Sequence, residues 1–216
     1  MKHLIIIGAR GYGRGVYDIA KSMPTFGVEF EIKGYLDDKA DALEGYEGYP
    51  PIISSVESYE IQKDDVFVVA LGDVKWKKHY VQIIIGKGGE FMNVIHPSVF
   101  IGSNLKIGVG CIIAYGAQID CDVQIGNFVN IQTYAVVGHD SKVGDFSILD
   151  CYSFIGGFAS VGNEATVHTG AKILPKIQVG DSAIVNAGSI VIRNVKPTTT
   201  VMGNPAREMI IPKMNK

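Results

Sequence analysis

The segment IQTYAVVGHDSKVGDFSILDCYSF, residues 131–154, decides the fold because an aliphatic residue returns at every sixth position. The same period runs from residue 95 to residue 196 as seventeen consecutive hexads without an insertion. The fifth position of a hexad holds a small or compact residue, and glycine occupies the second position in eight of them. Chance does not produce a run of this length.

A period of six is typical of a parallel β-helix. The aliphatic residue at position one is expected to point into a narrow prism, and the residue at position five is expected to fit the constricted interior beside a corner. Three hexads make one triangular coil. Residues 18 apart in sequence should therefore stack roughly 4.8 Å apart, the spacing of neighbouring strands.

Residues 1–92 follow a different pattern of alternating strands and helices. The apolar runs predict strands over 4–7, 31–36 and 66–71, and helices over about 14–23 and 76–87. Nearly continuous apolar strands separated by helices indicate a small parallel sheet covered on both faces. We therefore predict a Rossmann-like α/β domain over 1–92, followed by an all-β parallel β-helix domain with a C-terminal tail over 93–216.

The first strand leads into a glycine-rich turn, IIIGARGYGRG, residues 5–15. A strand, closely spaced glycines and a helix follow in the order that a phosphate-binding turn requires. The glycines are spaced G-x-x-G-x-G instead of the dinucleotide pattern G-x-G-x-x-G. The turn alone leaves open which nucleotide it binds.

Composition narrows the classes of partner and location. The formal net charge of -2 gives no electrostatic reason to expect nucleic acid or an anionic membrane surface. No apolar run reaches the roughly 20 residues of a membrane-spanning helix, and the chain enters a strand pattern at once, so we expect a cytoplasmic protein without membrane insertion. Three cysteines without a C-x-x-C pair predict neither a disulfide framework nor a structural metal.

The stretch GHDSKVGDF, residues 138–146, is the most specific motif in the chain. With the hexads, the Rossmann-like N-terminal part and the C-terminal VMGNPAR, it makes the chain resemble the hexapeptide-repeat sugar acetyltransferases. These include sialic acid O-acetyltransferases and the UDP-4-amino-sugar N-acetyltransferase of the bacillosamine pathway. The resemblance implies a left-handed β-helix, acetyl-CoA as cosubstrate, no metal, His139 as general base and Asp140 as the acid that assists it.

The chemistry of acyl transfer agrees with these two roles. An imidazole accepts a proton from an attacking amine or hydroxyl near neutral pH, and a carboxylate fixes its tautomer. His139 and Asp140 are adjacent, so their side chains meet only if a corner of the prism turns between them. Gly157 follows His139 by 18 residues; its bare backbone leaves room for a thioester, and its N–H is a candidate oxyanion donor.

The resemblance also implies binding residues. Acetyl-CoA is expected in a groove between neighbouring prisms, against Gly157, Thr169, Ala187 and Arg207. Arg207 either binds a phosphate or is a solvated charge. Two positions depart from relatives, because Ile148 stands where one has histidine and Ala187 replaces a glycine. The nucleotide-sugar acceptor is expected against a set of residues that follow the first three strands: Arg10, Gly11, Tyr12, Asp37, Asp38 and Gly72. An ordinary turn at Asp37 and Asp38 is the alternative.

The favoured function is an acetyl-CoA-dependent N-acetyltransferase acting on a UDP-linked amino sugar in surface glycan biosynthesis, by direct attack on the thioester. O-acetylation of sialic acid or a related sugar is the alternative, followed by a non-catalytic or zinc-dependent hexapeptide-repeat protein. A Cys121–His139 dyad for covalent catalysis is a further possibility that the 18-residue register raises. Outward aromatic residues predict a homotrimer, in which Phe128, Tyr134, Phe146, Phe154 and Phe158 are covered by neighbouring copies.

Overall fold

The computed structural model describes residues 1–209, in which a parallel sheet with two helices precedes a β-helix. The N-terminal sheet is entirely parallel, in the order β3-β2-β1-β4-β5. Its elements are β1 (Lys2–Ile7), α1 (Gly11–Ser22), β2 (Phe30–Leu36), β3 (Ile52–Ser54), β4 (Asp65–Val69), α2 (Val74–Gly86) and β5 (Glu90–Phe91). Residues 210–216 of the predicted C-terminal tail lie outside the described residues.

The two helices cover opposite faces of this sheet because successive residues of a strand point to opposite sides. Even-numbered residues of β1 pack against α1, and odd-numbered residues pack against α2. The two groups are Leu4, Ile6, Val16 and Ala20 on one side, and Ile5, Ile7, Val81 and Ile84 on the other. The predicted sheet with both faces covered is confirmed. The short strands β3 and β5 were not predicted, since three and two residues carry no clear periodicity.

The glycine turn brings α1 directly onto the end of β1. Gly8 adopts a φ of +97°, which favours glycine. A Cβ on Gly13 would lie 1.8 Å from the Gly8 carbonyl oxygen, so only glycine fits at position 13. The helix consequently begins at Gly11, three residues before the predicted start at Arg14.

The hexads form a triangular parallel β-helix in which strands 18 residues apart pair in register, for example Val136 with Phe154. Position-one aliphatics and position-five small residues fill its interior, as predicted. The covered face, named for the domain that packs on it, consists of β6 (Val94–Ile95), β9 (Ile112–Ile113), β12 (Asn130–Ile131), β15 (Ile148–Leu149), β18 (Thr166–Val167), β21 (Ile184–Val185), β23 (Thr200–Gly203) and β24 (Ala206–Glu208). Of these strands, only β24 runs antiparallel to its neighbour among the described residues.

The other two faces differ in the chemistry of their outward side chains. The apolar face carries Phe100, Val136, Phe154 and Ile190 and consists of β7 (Phe100–Ile101), β10 (Gln118–Ile119), β13 (Val136–Val137), β16 (Phe154–Ile155), β19 (Lys172–Ile173) and β22 (Ile190–Val191). The polar face carries Lys106, Gln124, Lys142, Ser160 and Gln178 and consists of β8 (Lys106–Ile107), β11 (Gln124–Ile125), β14 (Lys142–Val143), β17 (Ser160–Val161) and β20 (Gln178–Val179).

The N-terminal domain packs on the covered face, and this docking corrects part of the predicted aromatic surface. Phe128 is only 6% exposed, stacks on Phe146 with ring centroids 4.9 Å apart and contacts Phe91 edge-on. Phe128 and Phe146 therefore lie under the N-terminal domain and were wrongly predicted to await another copy. Tyr134, Phe154 and Phe158 are exposed, as predicted.

Lys77 of α2 joins the two domains. Its side chain is fully buried, and its Nζ donates hydrogen bonds to the Phe128 carbonyl oxygen and, at 2.7 Å, to Asn130 Oδ1. The Asn130 amide in turn donates to the Leu71 carbonyl oxygen at 3.3 Å. Burial lowers the pKa of Lys77 to about 7, because removal from water disfavours the ammonium form.

The depressed pKa of Lys77 predicts how stability depends on pH. In the unfolded chain the lysine has an ordinary pKa of roughly 10.4, so between pH 7 and pH 10 the unfolded state binds more protons. The free energy of unfolding should therefore rise by about 1 kcal/mol from pH 7 to pH 8.5 relative to Lys77→Met. Urea unfolding at fixed protein concentration measures this, with the exposed Lys75→Met as the matched control. Equal pH slopes in wild type and Lys77→Met would contradict it.

Candidate active site

His139 lies on the corner between the apolar and polar faces, which we call the His139 corner. Its Nδ1 is 2.9 Å from Asp140 Oδ2. Adjacent side chains meet here because Asp140 adopts a left-handed φ of +57°, which turns the chain at the corner. Both side chains are about half exposed. The contact that the sequence made conditional on a corner is therefore present.

The Asp140 carboxylate accepts from Nδ1–H of a neutral His139, which assigns the proton to Nδ1. The opposite nitrogen, Nε2, then carries a free lone pair. The imidazole also packs edge-on against the ring of Phe158, with centroids 5.2 Å apart. The ring is thus held in one orientation and retains a proton acceptor on its Nε2 side.

Gly157 lies directly beside this imidazole, one coil above it. A Cβ on Gly157 would be 2.6 Å from His139 Nε2, so the space a side chain needs is taken by the imidazole. Within residues 1–209, the N–H of Gly157 donates to no protein atom, although its carbonyl oxygen accepts from Lys176 N at 3.0 Å. An unpaired N–H next to Nε2 is the arrangement that an oxyanion requires.

Cys121 lies one coil below His139 and contacts the corner through its backbone. Its carbonyl oxygen accepts from Asp140 N at 3.1 Å, and no side-chain hydrogen bond joins Cys121 to His139 in the described chain. Partial desolvation and the carboxylates of Asp120 and Asp122 raise the pKa of the Cys121 thiol. A thiolate is therefore disfavoured, which argues against a Cys121–His139 dyad.

Thr169 and Ala187 lie on a different corner, between the covered and apolar faces, which we call the Asp150 corner. They are exposed and stacked, with Gly188 N donating to the Thr169 carbonyl oxygen at 2.9 Å. Gly157 belongs to the His139 corner. One chain therefore does not bring these three predicted cofactor residues together, because the width of the apolar face separates the two corners.

The Asp150 corner also holds a histidine–carboxylate pair that was not predicted as functional. His168 Nδ1 is 2.8 Å from Asp150 Oδ2, one coil away. The sequence carried a signal for it: at this corner the second hexad position never holds glycine, and Asp150 and His168 are exactly one coil, or 18 residues, apart. That column of second positions is His96, Ala114, Gln132, Asp150, His168 and Asn186.

A cleft of about 440 Å³ opens at the carboxyl end of the N-terminal sheet. It brings together five of the six predicted acceptor residues: Arg10, Tyr12, Asp37, Asp38 and Gly72. Gly11 lines an adjoining pocket that shares Arg10. Trp76 and Tyr80 of α2 complete the cleft and were not predicted, although aromatics four residues apart at the start of a helix were a usable signal.

The two aspartates of the cleft have different partners. Asp37 accepts from Ala9 N at 2.8 Å and from Lys39 N at 3.0 Å, so it ties the end of β2 to the glycine turn. Asp38 accepts from the Tyr80 hydroxyl at 2.5 Å. Burial and this contact with Asp38 raise the pKa of Tyr80, which keeps the phenol protonated. Asp37 is thus partly a turn residue, and Asp38 orients an aromatic wall.

The remaining predicted residues lie apart from the cleft. Ile148 is buried on the covered face, and Arg207 is exposed on β24, with Nη1 bonded to the Ala206 carbonyl oxygen at 2.9 Å. Arg207 shares a pocket of about 180 Å³ with Arg193 and Lys196 at the C-terminal end of the prism. Arg193 belongs to the column of the His139 corner, three coils above His139.

Two classes of site do not occur among residues 1–209. The described residues contain no group of three or more His, Cys, Asp or Glu side chains arranged to hold a metal ion. Over the same range, neither helix is long and apolar enough to cross a membrane.

Sequence comparison places this chain next to one group of enzymes. Residues 3–84 match the family described as the PglD N-terminal domain. Over 118 residues the chain is 32% identical to UDP-N-acetylbacillosamine N-acetyltransferase of Bacillus subtilis (strain 168), a match that covers 52% of this chain and 51% of that enzyme. The match spans about half the length of this curated relative.

Solved structures match almost the whole chain. The acetyltransferase domain of PglB from Neisseria gonorrhoeae has a TM-score of 0.88 at 25% identity, covering 97% of this chain and 100% of that one. PerB from Caulobacter crescentus, solved with CoA and GDP-perosamine, has a TM-score of 0.86 at 26% identity, covering 97% and 98%. These matches confirm the predicted α/β region followed by a left-handed parallel β-helix, and the resemblance to the hexapeptide-repeat sugar acetyltransferases.

The contact between Gly157 and His139 gives a structural prediction. In Gly157→Ala the new methyl group collides with Nε2, so the imidazole should move away from Asp140 while the chain still folds. Long-range ¹H–¹⁵N spectra of the imidazole nitrogens report this as a shift of the His139 signals. Gly86→Ala is the matched control, because no atom lies within 4 Å of a Cβ placed there. Unchanged His139 signals in Gly157→Ala would show that the corner has room to spare.

Proposed function

We propose that this chain is an acetyl-CoA-dependent N-acetyltransferase that acts on a UDP-linked amino sugar in surface glycan biosynthesis. In this proposal residues 1–92 bind the nucleotide sugar and residues 93–216 carry out acyl transfer. The observation that carries it is the His139–Asp140 pair with its free Nε2 beside the unpaired N–H of Gly157. A proton acceptor and an oxyanion donor side by side suit nucleophilic attack on a thioester.

The reaction follows from these two groups. Nε2 of His139 takes a proton from the acceptor amine as its nitrogen attacks the thioester carbonyl carbon. Asp140 stabilises the imidazolium that forms, and Gly157 N–H donates to the oxygen of the tetrahedral intermediate. The C–S bond then breaks, and the CoA thiolate takes the proton from the imidazolium. The products are the N-acetylated sugar and CoA.

The nature of the two substrates is supported by the relatives. The Bacillus subtilis enzyme is named for a UDP-linked product, PerB was solved with CoA and GDP-perosamine, and PglB was also solved with acetyl coenzyme A. In this chain the cleft offers a glycine turn for phosphates and two aromatic walls, Trp76 and Tyr80, for a base. We assign the nucleotide sugar to this cleft.

The acetyl donor is assigned to the His139 corner. Gly157 and Arg193 lie one and three coils above His139, so the column rises roughly 14 Å toward the C-terminal end of the prism. There Arg193, Lys196 and Arg207 form a positively charged group suited to the phosphates of CoA. The thioester would thus lie at Gly157, with the nucleotide end of CoA toward Arg207.

A homotrimer completes the site in this proposal. The N-terminal domain covers one face and the polar face is hydrated, so the apolar face with its exposed Tyr134, Tyr152 and Phe158 is the surface that needs a partner. A cyclic trimer that buries this face sets the His139 corner of one copy against the Asp150 corner of the next. The cleft of one chain then faces His139 of its neighbour, and Gly157 of one copy approaches Thr169 and Ala187 of another.

Turnover of a nucleotide amino sugar tests the proposed reaction. Release of free thiol from acetyl-CoA should occur with UDP-linked amino sugars, while free sialic acid and GDP- or TDP-linked amino sugars serve as competing acceptors. His139→Ala should lower kcat by about 10³-fold, because it removes the general base, and should leave CoA binding unchanged.

His3→Gln is the matched control, since His3 is a half-exposed histidine at the edge of the sheet farthest from the cleft. Thiol release with sialic acid alone would favour O-acetylation, and full activity of His139→Ala would exclude its role as the base.

Mixed trimers test whether two chains build each site. His139→Ala lacks the base, and Gly72→Trp fills the cleft at a position where a Cβ meets no atom within 4 Å. If the site lies between chains, refolding the two inactive variants together should restore about a quarter of wild-type activity by random assortment. Separately refolded and then mixed variants are the control. No recovery on co-refolding means that each chain supplies both groups itself.

A further inference from the structure

The Asp150 corner has an unusual charge pattern. Its positions are 96–98, 114–116, 132–134, 150–152, 168–170 and 186–188, and Asp150 is the only carboxylate among them. None of these positions is lysine or arginine. An isolated negative charge on an otherwise neutral, aromatic corner attracts a cation.

His168 holds this carboxylate in place without neutralising it. The 2.8 Å contact joins His168 Nδ1 to Asp150 Oδ2, and a neutral imidazole donates its Nδ1–H there. The second carboxylate oxygen and His168 Nε2 remain as acceptors. The Asp150 side chain is 29% exposed, so a ligand is able to reach it.

Tyr12 connects this corner to the nucleotide cleft. Its ring lines the cleft, while its hydroxyl is buried beside Gln132, Asp150 and Cys151 without a hydrogen-bond partner of ordinary geometry. Burial raises the pKa of Tyr12, so the phenol is a neutral donor and leaves the charge of Asp150 unchanged. A sugar attached to a nucleotide in the cleft therefore extends past Tyr12 toward Asp150.

We propose that Asp150, oriented by His168, binds the ammonium group of the acceptor sugar and so selects amines over hydroxyls. This inference rests on the proposed function and deepens it, because it assigns the choice of acceptor class to residues that are separate from the general base. Asp150 offers a charge and an acceptor, which an ammonium ion needs and a hydroxyl does not. Release of one proton from the held ammonium exposes the nitrogen lone pair to the neighbouring thioester.

The role separates binding from chemistry. Asp150 and His168 belong to the corner that faces His139 of the next copy in the proposed trimer, so their loss leaves the His139–Asp140 pair intact. The KM for an amino acceptor should rise at least about tenfold in Asp150→Asn, the effect expected for loss of a hydrogen bond to a charged group. The kcat at saturating acceptor should change little.

Calorimetry on the full-length assembled protein gives a test that does not need turnover. The probes are UDP, GDP, a UDP-4-amino sugar, GDP-perosamine, and the 4-hydroxyl counterpart of each sugar. Wild type should bind an amino probe at least about tenfold more tightly than its hydroxyl counterpart. Asp150→Asn and His168→Gln should abolish that preference and leave the affinity for the free nucleotide unchanged. His3→Gln, a half-exposed histidine near Asp65 and far from the cleft, should behave as wild type.

The outcomes separate the two proposals. A wild type without preference, or an Asp150→Asn that keeps it, overturns the inference even if acetyl transfer proceeds. Asp150→Asn that loses affinity for free UDP or GDP as well also overturns it, because the residue would then shape the cleft as a whole. A preference that Asp150→Asn abolishes supports the inference, even if no acceptor releases thiol and the proposed function fails.

Discussion

The ladder between residues 18 apart is the constraint on which the structure depends. Each coil pairs in register with the next, so every inward aliphatic stacks on another and every corner residue joins a column at the strand spacing. Gly157 falls beside His139 for this reason alone, and its missing side chain leaves the space that the imidazole takes. A single inserted residue between them would move Gly157 off the column and fill the corner differently.

The docking of the N-terminal domain gives the three faces of the prism different roles. Lys77 and Asn130 join the domain to the covered face through buried hydrogen bonds, and the aromatic pair of Phe128 and Phe146 lies under α2. The polar face suits water, so the apolar face remains for another copy. Because His139 and the cleft flank opposite sides of this arrangement, the proposed site draws one part from each of two chains.

Much of the site followed from short-range sequence features. The G-H-D stretch and the strand-ending Asp37, Asp38 and Gly72 were found because each is local to one corner or one strand end. The pair of Asp150 and His168 was missed because it depends on a contact between coils, even though the register made it predictable. The exposure of Phe128 was predicted wrongly, since position in a hexad does not tell which face another domain covers.

The sequence by itself determined the six-residue coil, the columns of stacked residues and the glycine turn, because each is imposed by backbone geometry that repeats over a few residues. Only the tertiary structure decided which face the N-terminal domain covers, that Tyr12 reaches from the cleft to Asp150, and that the two binding corners lie apart. These relations depend on contacts between side chains far apart in the chain, such as Lys77 with Asn130, and no local period encodes them.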